Sequence, residues 1–168
     1  MAAAQRHTHK EAMLSVEQAQ DRILDFFRPL EAVKIPLSEA SGTVLTEDLI
    51  SDLNVPPLDN SAMDGYAVQS QSVSGASRSA PKTLRVIGTI AAGQLPRIQV
   101  KAGTAVRIMT GAPIPKGADA IVPFEDTDEI DRRQTGKTLR EISVKVGAEP
   151  GSHVRPAGRD ITKGQAVL

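Results

Sequence analysis

Asp59 and Asp64 stand on one short polar run, Leu58-Asp59-Asn60-Ser61-Ala62-Met63-Asp64-Gly65, in which the carboxylates flank an amide and a hydroxyl and a glycine closes the run. Two carboxylates five residues apart with an amide and a hydroxyl between them give the run the profile of a binding loop. Gly65 can take a positive φ or let a ligand approach the backbone closely. Pro56 and Pro57 lead into the run, and because proline fixes φ and lacks an N–H the segment enters extended rather than helical. Tyr66-Ala67-Val68 resumes an apolar pattern and predicts a strand that anchors the far side of the loop. The competing structural reading is a turn whose Asp and Asn merely bond their own backbone.

Two further stretches carry chemistry. Arg107-Ile108-Met109-Thr110-Gly111-Ala112-Pro113 reads as a strand running into a turn, which sets the Thr110 hydroxyl and exposed backbone N–H groups at a strand end, where an oxyanion can bind. A hairpin turn without a ligand explains the same residues. Further on, Gly151-Ser152-His153-Val154-Arg155-Pro156-Ala157-Gly158-Arg159-Asp160 offers two guanidinium groups suited to phosphate or carboxylate. Arg155 and Asp160 also suit a purely structural pair.

These three stretches resemble the signatures of the MoeA and gephyrin E-domain family, which inserts molybdenum into molybdopterin to make the molybdenum cofactor. Pro56 to Val68 resembles the first signature. Arg107 to Pro113, with Gly117 to Val122 and Glu125, resembles the second, and Gly151, Arg155, Gly158 and Asp160 match a Gly-x-x-x-Arg-x-x-Gly-x-Asp pattern. The resemblance runs from Leu14 to Leu168. It implies the N-terminal portion of a molybdopterin molybdenumtransferase, with adenylated molybdopterin and molybdate as substrates and magnesium as cofactor. The implied catalytic residues are Asp59, Asp64 and Thr110, with Asp59 and Asp64 also as metal ligands. The implied substrate contacts are Asn60, Ser61, Met63, Gly65 and Tyr66 on one stretch, Gly111, Ala112 and Pro113 on the next, and Glu125. In such a protein the loop supplies one wall of a composite site in a homodimer, and a pterin-binding module, expected beyond Leu168, supplies the other. The isolated chain is then expected to be inactive. A second expectation, from the gephyrin line, is a non-catalytic dimerisation or scaffold module of the same fold.

Composition narrows the remaining classes. Lys plus Arg and Asp plus Glu are 20 each in 168 residues, so no global field draws nucleic acid or anionic lipid. There is no cysteine, which removes disulfides, thiolate metal sites and thiol nucleophiles together. His7, His9 and His153 are too scattered to form a metal centre of their own. No run approaches the roughly 18 apolar residues of a spanning helix, and residues 1–13 lack an apolar signal core, so a flexible tail on a cytoplasmic protein is expected. Glu125 to Asp131 fails as a calcium loop because an EF-hand begun at Asp126 puts Asp131 where glycine belongs and Lys137 where glutamate belongs. A solvated acidic loop is expected there instead. Gly136-Lys137-Thr138 lacks the earlier glycine of a phosphate-binding P-loop, and no Ser/His/Asp triad can be assembled.

The elements that must position these residues follow from periodicity. Ser15 and Gln18 form a capping box, and Val16, Ala19, Ile23, Phe26 and Phe27 recur at helical spacing up to Pro29. Val33, Ile35 and Leu37 alternate as a short strand, Ser38 to Ser41 suits a single helical turn, and Val44 to Leu53 is a further strand candidate. Gln69 to Lys82 is poor in apolar residues and predicts an exposed loop. Short strands are predicted over Thr83 to Ile90, Thr104 to Met109, Ala120 to Phe124 and Leu139 to Val146. With aromatics at 2%, the core must be built from Val, Ile, Leu and Ala. The fold expected is mostly β with one N-terminal amphipathic helix. An elongated outer module, residues 14–55 plus 146–168, would carry an inserted small antiparallel β-barrel or sandwich module, residues 56–145, that bears the Asp59–Gly65 loop.

Overall fold

The computed structural model describes residues 13–168, so the expected tail with His7 and His9 lies outside the described residues apart from Met13. The chain divides into two compact units, Met1–Glu47 and Asp48–Leu168.

In the first unit, helix α1 spans Val16–Leu24 and starts at the predicted capping box: the Ser15 hydroxyl accepts from Gln18 N–H at 3.2 Å and the Gln18 side chain accepts from Ser15 N–H at 3.1 Å. It ends before Pro29, because Phe26 and Phe27 N–H already bond three residues back in a tightened turn and both rings lie past the helix. The strand expected over 33–37 is absent. Leu37–Glu39 forms a 3-10 turn, and among the described residues no segment pairs with 33–37 in the ladder a strand needs. None of the residues of α1 is buried.

The second unit is built on a five-stranded sheet. Its strands are β2 (Gly65–Val68), β3 (Lys82–Ile90), β4 (Thr104–Ile108), β5 (Ala120–Pro123) and β6 (Glu141–Val144), in the order β5-β2-β4-β3-β6. The strands predicted over 83–90, 104–109, 120–124 and 139–146 all form, but the antiparallel arrangement expected of them does not hold throughout, since β3 and β4 pair in parallel. Residues 91–103 carry the chain back to the start of β3 before β4 begins, and a connection of that length permits a parallel neighbour where a tight turn would force a hairpin. The sheet curls on itself. Thr127, just past β5, bridges Val144 of β6, and Lys145 N–H donates to Asp126 O at 2.7 Å, so the two edges meet.

Strand alternation sends side chains to two cores. Tyr66, Val68, Leu84, Ala105, Val122, Ile142 and Val144 pack on one face, and Ala67, Ile90, Val106, Ile108 and Ile121 on the other. Strands β2 and β5 are buried along their whole length, which is why they read as continuous apolar runs.

Three corrections concern the connections. The expected loop after Val68 opens with helix α2 (Ser70–Val73), in which Val73 is buried and the Ser70 N–H and hydroxyl both donate to Asp119. The acidic stretch is not simply solvated: helix α3 spans Glu129–Gln134 and Glu129 is buried. Together with α1 these make three helices where one was expected. The strand sought over 44–53 reduces to a single bridge, Ile50 with Ala166. That bridge belongs to a longer meeting of segments, in which Val55 pairs with Ile161 and β1 (Asn60–Ser61) pairs with β7 (Val154–Arg155).

Candidate functional site

The polar loop leaves this framework between β1 and β2 and is clamped on both sides. Ser61 N–H donates to Ala112 O at 3.0 Å and Gly111 N–H returns to Ser61 O at 2.8 Å, while Ala62 N–H donates to His153 O at 2.9 Å. The loop therefore sits between the Thr110 turn and the Arg155 strand, bringing all three chemically promising stretches together. Some of its side chains also serve the local turn: Asn60 Nδ2 donates to Leu58 O at 3.3 Å, and the Ser61 hydroxyl donates to Met63 O.

Asp64 and Thr110 are joined directly. Asp64 Oδ1 accepts from the Thr110 N–H and from the Thr110 hydroxyl, each at 2.7 Å. These two bonds, aided by the nearby Arg107, hold the Asp64 carboxyl below the usual aspartate range against a small opposing effect of burial. Its stabilising contribution is therefore complete above the ordinary aspartate value and is lost as pH falls through the depressed one. Exchange protection of the Thr110 amide is expected to follow that loss on acidification. Hydrogen exchange measured down a pH series checks this, and an Asp64→Asn variant should show no such step.

Gly111 has φ +79° with open space where a Cβ would stand, so glycine is there for the turn. Beside it lies a groove of about 440 Å³. Asn60, Ser61 and Ala62 form one side, Thr110 and Gly111 another, and Arg155, Arg159 and Asp160 the third. Asp160 pairs with Arg155, and that bond lowers the carboxyl pKa. Arg159 has no ion-pair partner among the described residues.

The other expected site residues separate. Asp59 is exposed, and its Oδ1 accepts from Ala157 N–H at 2.7 Å, away from Asp64's partners. Met63 is exposed and Pro113 half-buried. Tyr66 and Ala112 are fully buried, so a direct substrate contact is not open to them and both belong to the framework. Gly65 is buried too, and its missing side chain makes room for a strand rather than a ligand: a Cβ there would stand 2.1 Å from Val122 O. Glu125 faces a different cavity, shared with Arg78, Asp126 and Lys145. Among the described residues no group of three or more His, Cys, Asp or Glu can hold a metal ion. Asp59 and Asp64 accept from different backbone N–H groups, those of Ala157 and Thr110.

The sequence model of the MoeA N-terminal region (domain I and II) matches residues 14–168. The chain belongs to the MoeA family. Among MoeA relatives, molybdopterin molybdenumtransferase 2 of Mycobacterium tuberculosis is 40% identical over 156 residues, a match covering 93% of this chain and 36% of that protein. The molybdopterin molybdenumtransferase of Bacillus subtilis is 35% identical over 159 residues, covering 95% and 36%. The crystal structure of the molybdopterin biosynthesis MoeA protein from Pyrococcus horikoshii OT3 superposes with a TM-score of 0.78 at 33% identity, covering 90% of this chain and 38% of that one. The chain spans little more than a third of the length of the curated relatives it matches.

Behind the loop, this MoeA-family chain carries a buried charge that sequence reasoning missed. Glu129, with its side chain 2% exposed, accepts from Arg133 Nε at 2.8 Å and from Arg107 Nη2 at 3.3 Å, and Arg107 Nε lies 2.9 Å from its other oxygen. Burial alone would raise the Glu129 carboxyl, but Tyr66 and the two arginines outweigh it and the pKa lies below the usual range. Burial, reinforced by the Glu129 charge, pushes the Tyr66 phenol up. Its hydroxyl is buried without completing a hydrogen bond. The available signal was an acidic residue four places before Arg133, a spacing that allows pairing along a helix.

Proposed function

We propose that this chain forms one wall of the active site of a molybdopterin molybdenumtransferase, which inserts molybdate into adenylated molybdopterin during molybdenum cofactor biosynthesis. The observation that carries the reading is that Thr110, whose N–H and hydroxyl both donate to Asp64, lines a groove together with Arg155 and Arg159. A carboxylate kept ionised by two donors can orient a water through its charge, and guanidinium groups lining the groove offset phosphate charge. In this reading Asp64 and Thr110 act at the adenylate. Arg159 meets its phosphate, Asn60 and Ser61 bind the polar edge of the substrate, and Gly111 lets it come close. Asp59 orders the 155–160 segment through Ala157 N–H and so shapes the arginine side of the groove.

The pterin lies against a module contributed by the other subunit of a cytoplasmic homodimer, and the isolated chain is inactive. Exposed Phe26, Phe27, Leu30 and Val33 of the first unit are the apolar surface such a dimer needs.

A chimera tests the reading: residues 14–168 replace the matched segment of the Mycobacterium tuberculosis relative. The chimera is expected to form molybdenum cofactor from adenylated molybdopterin and molybdate, measured by reconstitution of a molybdoenzyme. A folded, dimeric chimera with no product above background would overturn the assignment.

A further inference from the structure

We propose that Arg107, anchored by Glu129, is a positioning residue that fixes the separation of Asp64 and Thr110; the inference rests on the function proposed for that pair. Gly65 and Ile108 face each other across strands β2 and β4, and the next residues outward lead to Asp64 on one strand and Thr110 on the other. Arg107 Nη1 donates to both facing carbonyls, Gly65 O at 3.4 Å and Ile108 O at 3.0 Å. A single nitrogen thus spans the strand pair at the point where the two site residues leave the sheet.

The guanidinium is itself held from several directions. Tyr66, its direct cross-strand neighbour, has its ring centroid 5.5 Å from Arg107 Cζ, and the Phe124 ring lies at 5.7 Å. The chain has only one tyrosine and three phenylalanines, so half of its aromatic residues pack against this one side chain. Glu129 supplies the counter-charge from α3, and Arg133 holds Glu129 in turn. A buried ion pair adds little net stability compared with an apolar replacement of the same shape. What this one supplies is direction, because a planar fork locked at one end presents its remaining donor at a defined place. Arg107 touches neither the groove nor its contents, and it acts through Asp64 and Thr110.

The test reads those two residues without turnover. In Arg107→Lys the charge stays but the fork is lost. The ¹³C-detected titration of the Asp64 carboxyl is expected to move up toward the ordinary aspartate range, and exchange of the Thr110 amide to speed up about tenfold, while the core amides of Ala67 and Val68 stay protected. Glu129→Gln, which keeps the shape and loosens the anchor, should shift both readouts in the same direction by less, and it serves alone if Arg107→Lys does not fold. An unaltered Asp64 titration and Thr110 exchange in a folded Arg107→Lys or Glu129→Gln variant would overturn the inference. Because neither readout needs activity, an inactive chimera would count against the proposed function and leave this result standing.

Discussion

Asp64→Asn in the chimera is expected to lower the turnover number by about 10²- to 10³-fold with little change in KM, the loss typical of removing one preorganised group from an active site. The substitution is close to isosteric. Its carbonyl oxygen can still accept from the Thr110 N–H and hydroxyl, so the loop should keep its shape while losing the charge that those donors stabilise. Thr110→Ala should cost less, because the backbone N–H at 2.7 Å remains as a donor. Steady-state kinetics of both variants beside the parent chimera supply the comparison. Undiminished turnover in Asp64→Asn would remove this carboxylate from the reaction.

Gly65→Ala should destabilise the second unit by about 3 kcal/mol, at the upper end of the overpacking range. The new methyl would stand 2.1 Å from Val122 O and 3.0 Å from Pro123 Cα. Both are backbone atoms of β5, which cannot swing aside as a side chain would. Relief would require β2 to move away from β5, weakening the ladder from Gly65–Pro123 to Val68–Ala120. A lower urea midpoint at unchanged slope is the expected observation. The same strain should reach the site, since Phe124 N–H donates to Asp64 O at 3.2 Å. A midpoint within experimental error of wild type would mean that the strands separate freely, and the packing role given to Gly65 would fall.

Local chemistry decided much that could be read in advance. The Ser15–Gln18 box and the apolar runs of β2, β4 and β5 act over a few neighbouring residues, so their periodicity announced them. The family and the Asp59–Gly65, Thr110 and Arg155 stretches were legible for the same reason: each is a dense local combination of residue types. Alternation also foretold strand status for 33–37, and there it failed, because a strand exists only where a second segment completes its hydrogen bonds.

What the sequence by itself determined, then, was which short segments carry strands and which carry polar chemistry, and that the chain belongs to the MoeA family. Only the tertiary structure decided that Asp64 meets Thr110 while Asp59 turns to Ala157, that β4 lies parallel to β3, and that Tyr66 and Ala112 are buried. It alone showed Gly65 making room for Val122, and Glu129 as a buried counter-charge for Arg107. The physical reason is the same in each case. Which of two similar carboxylates is drawn inward depends on donors presented by segments far along the chain, and no pattern of neighbouring residues records where those donors come to rest.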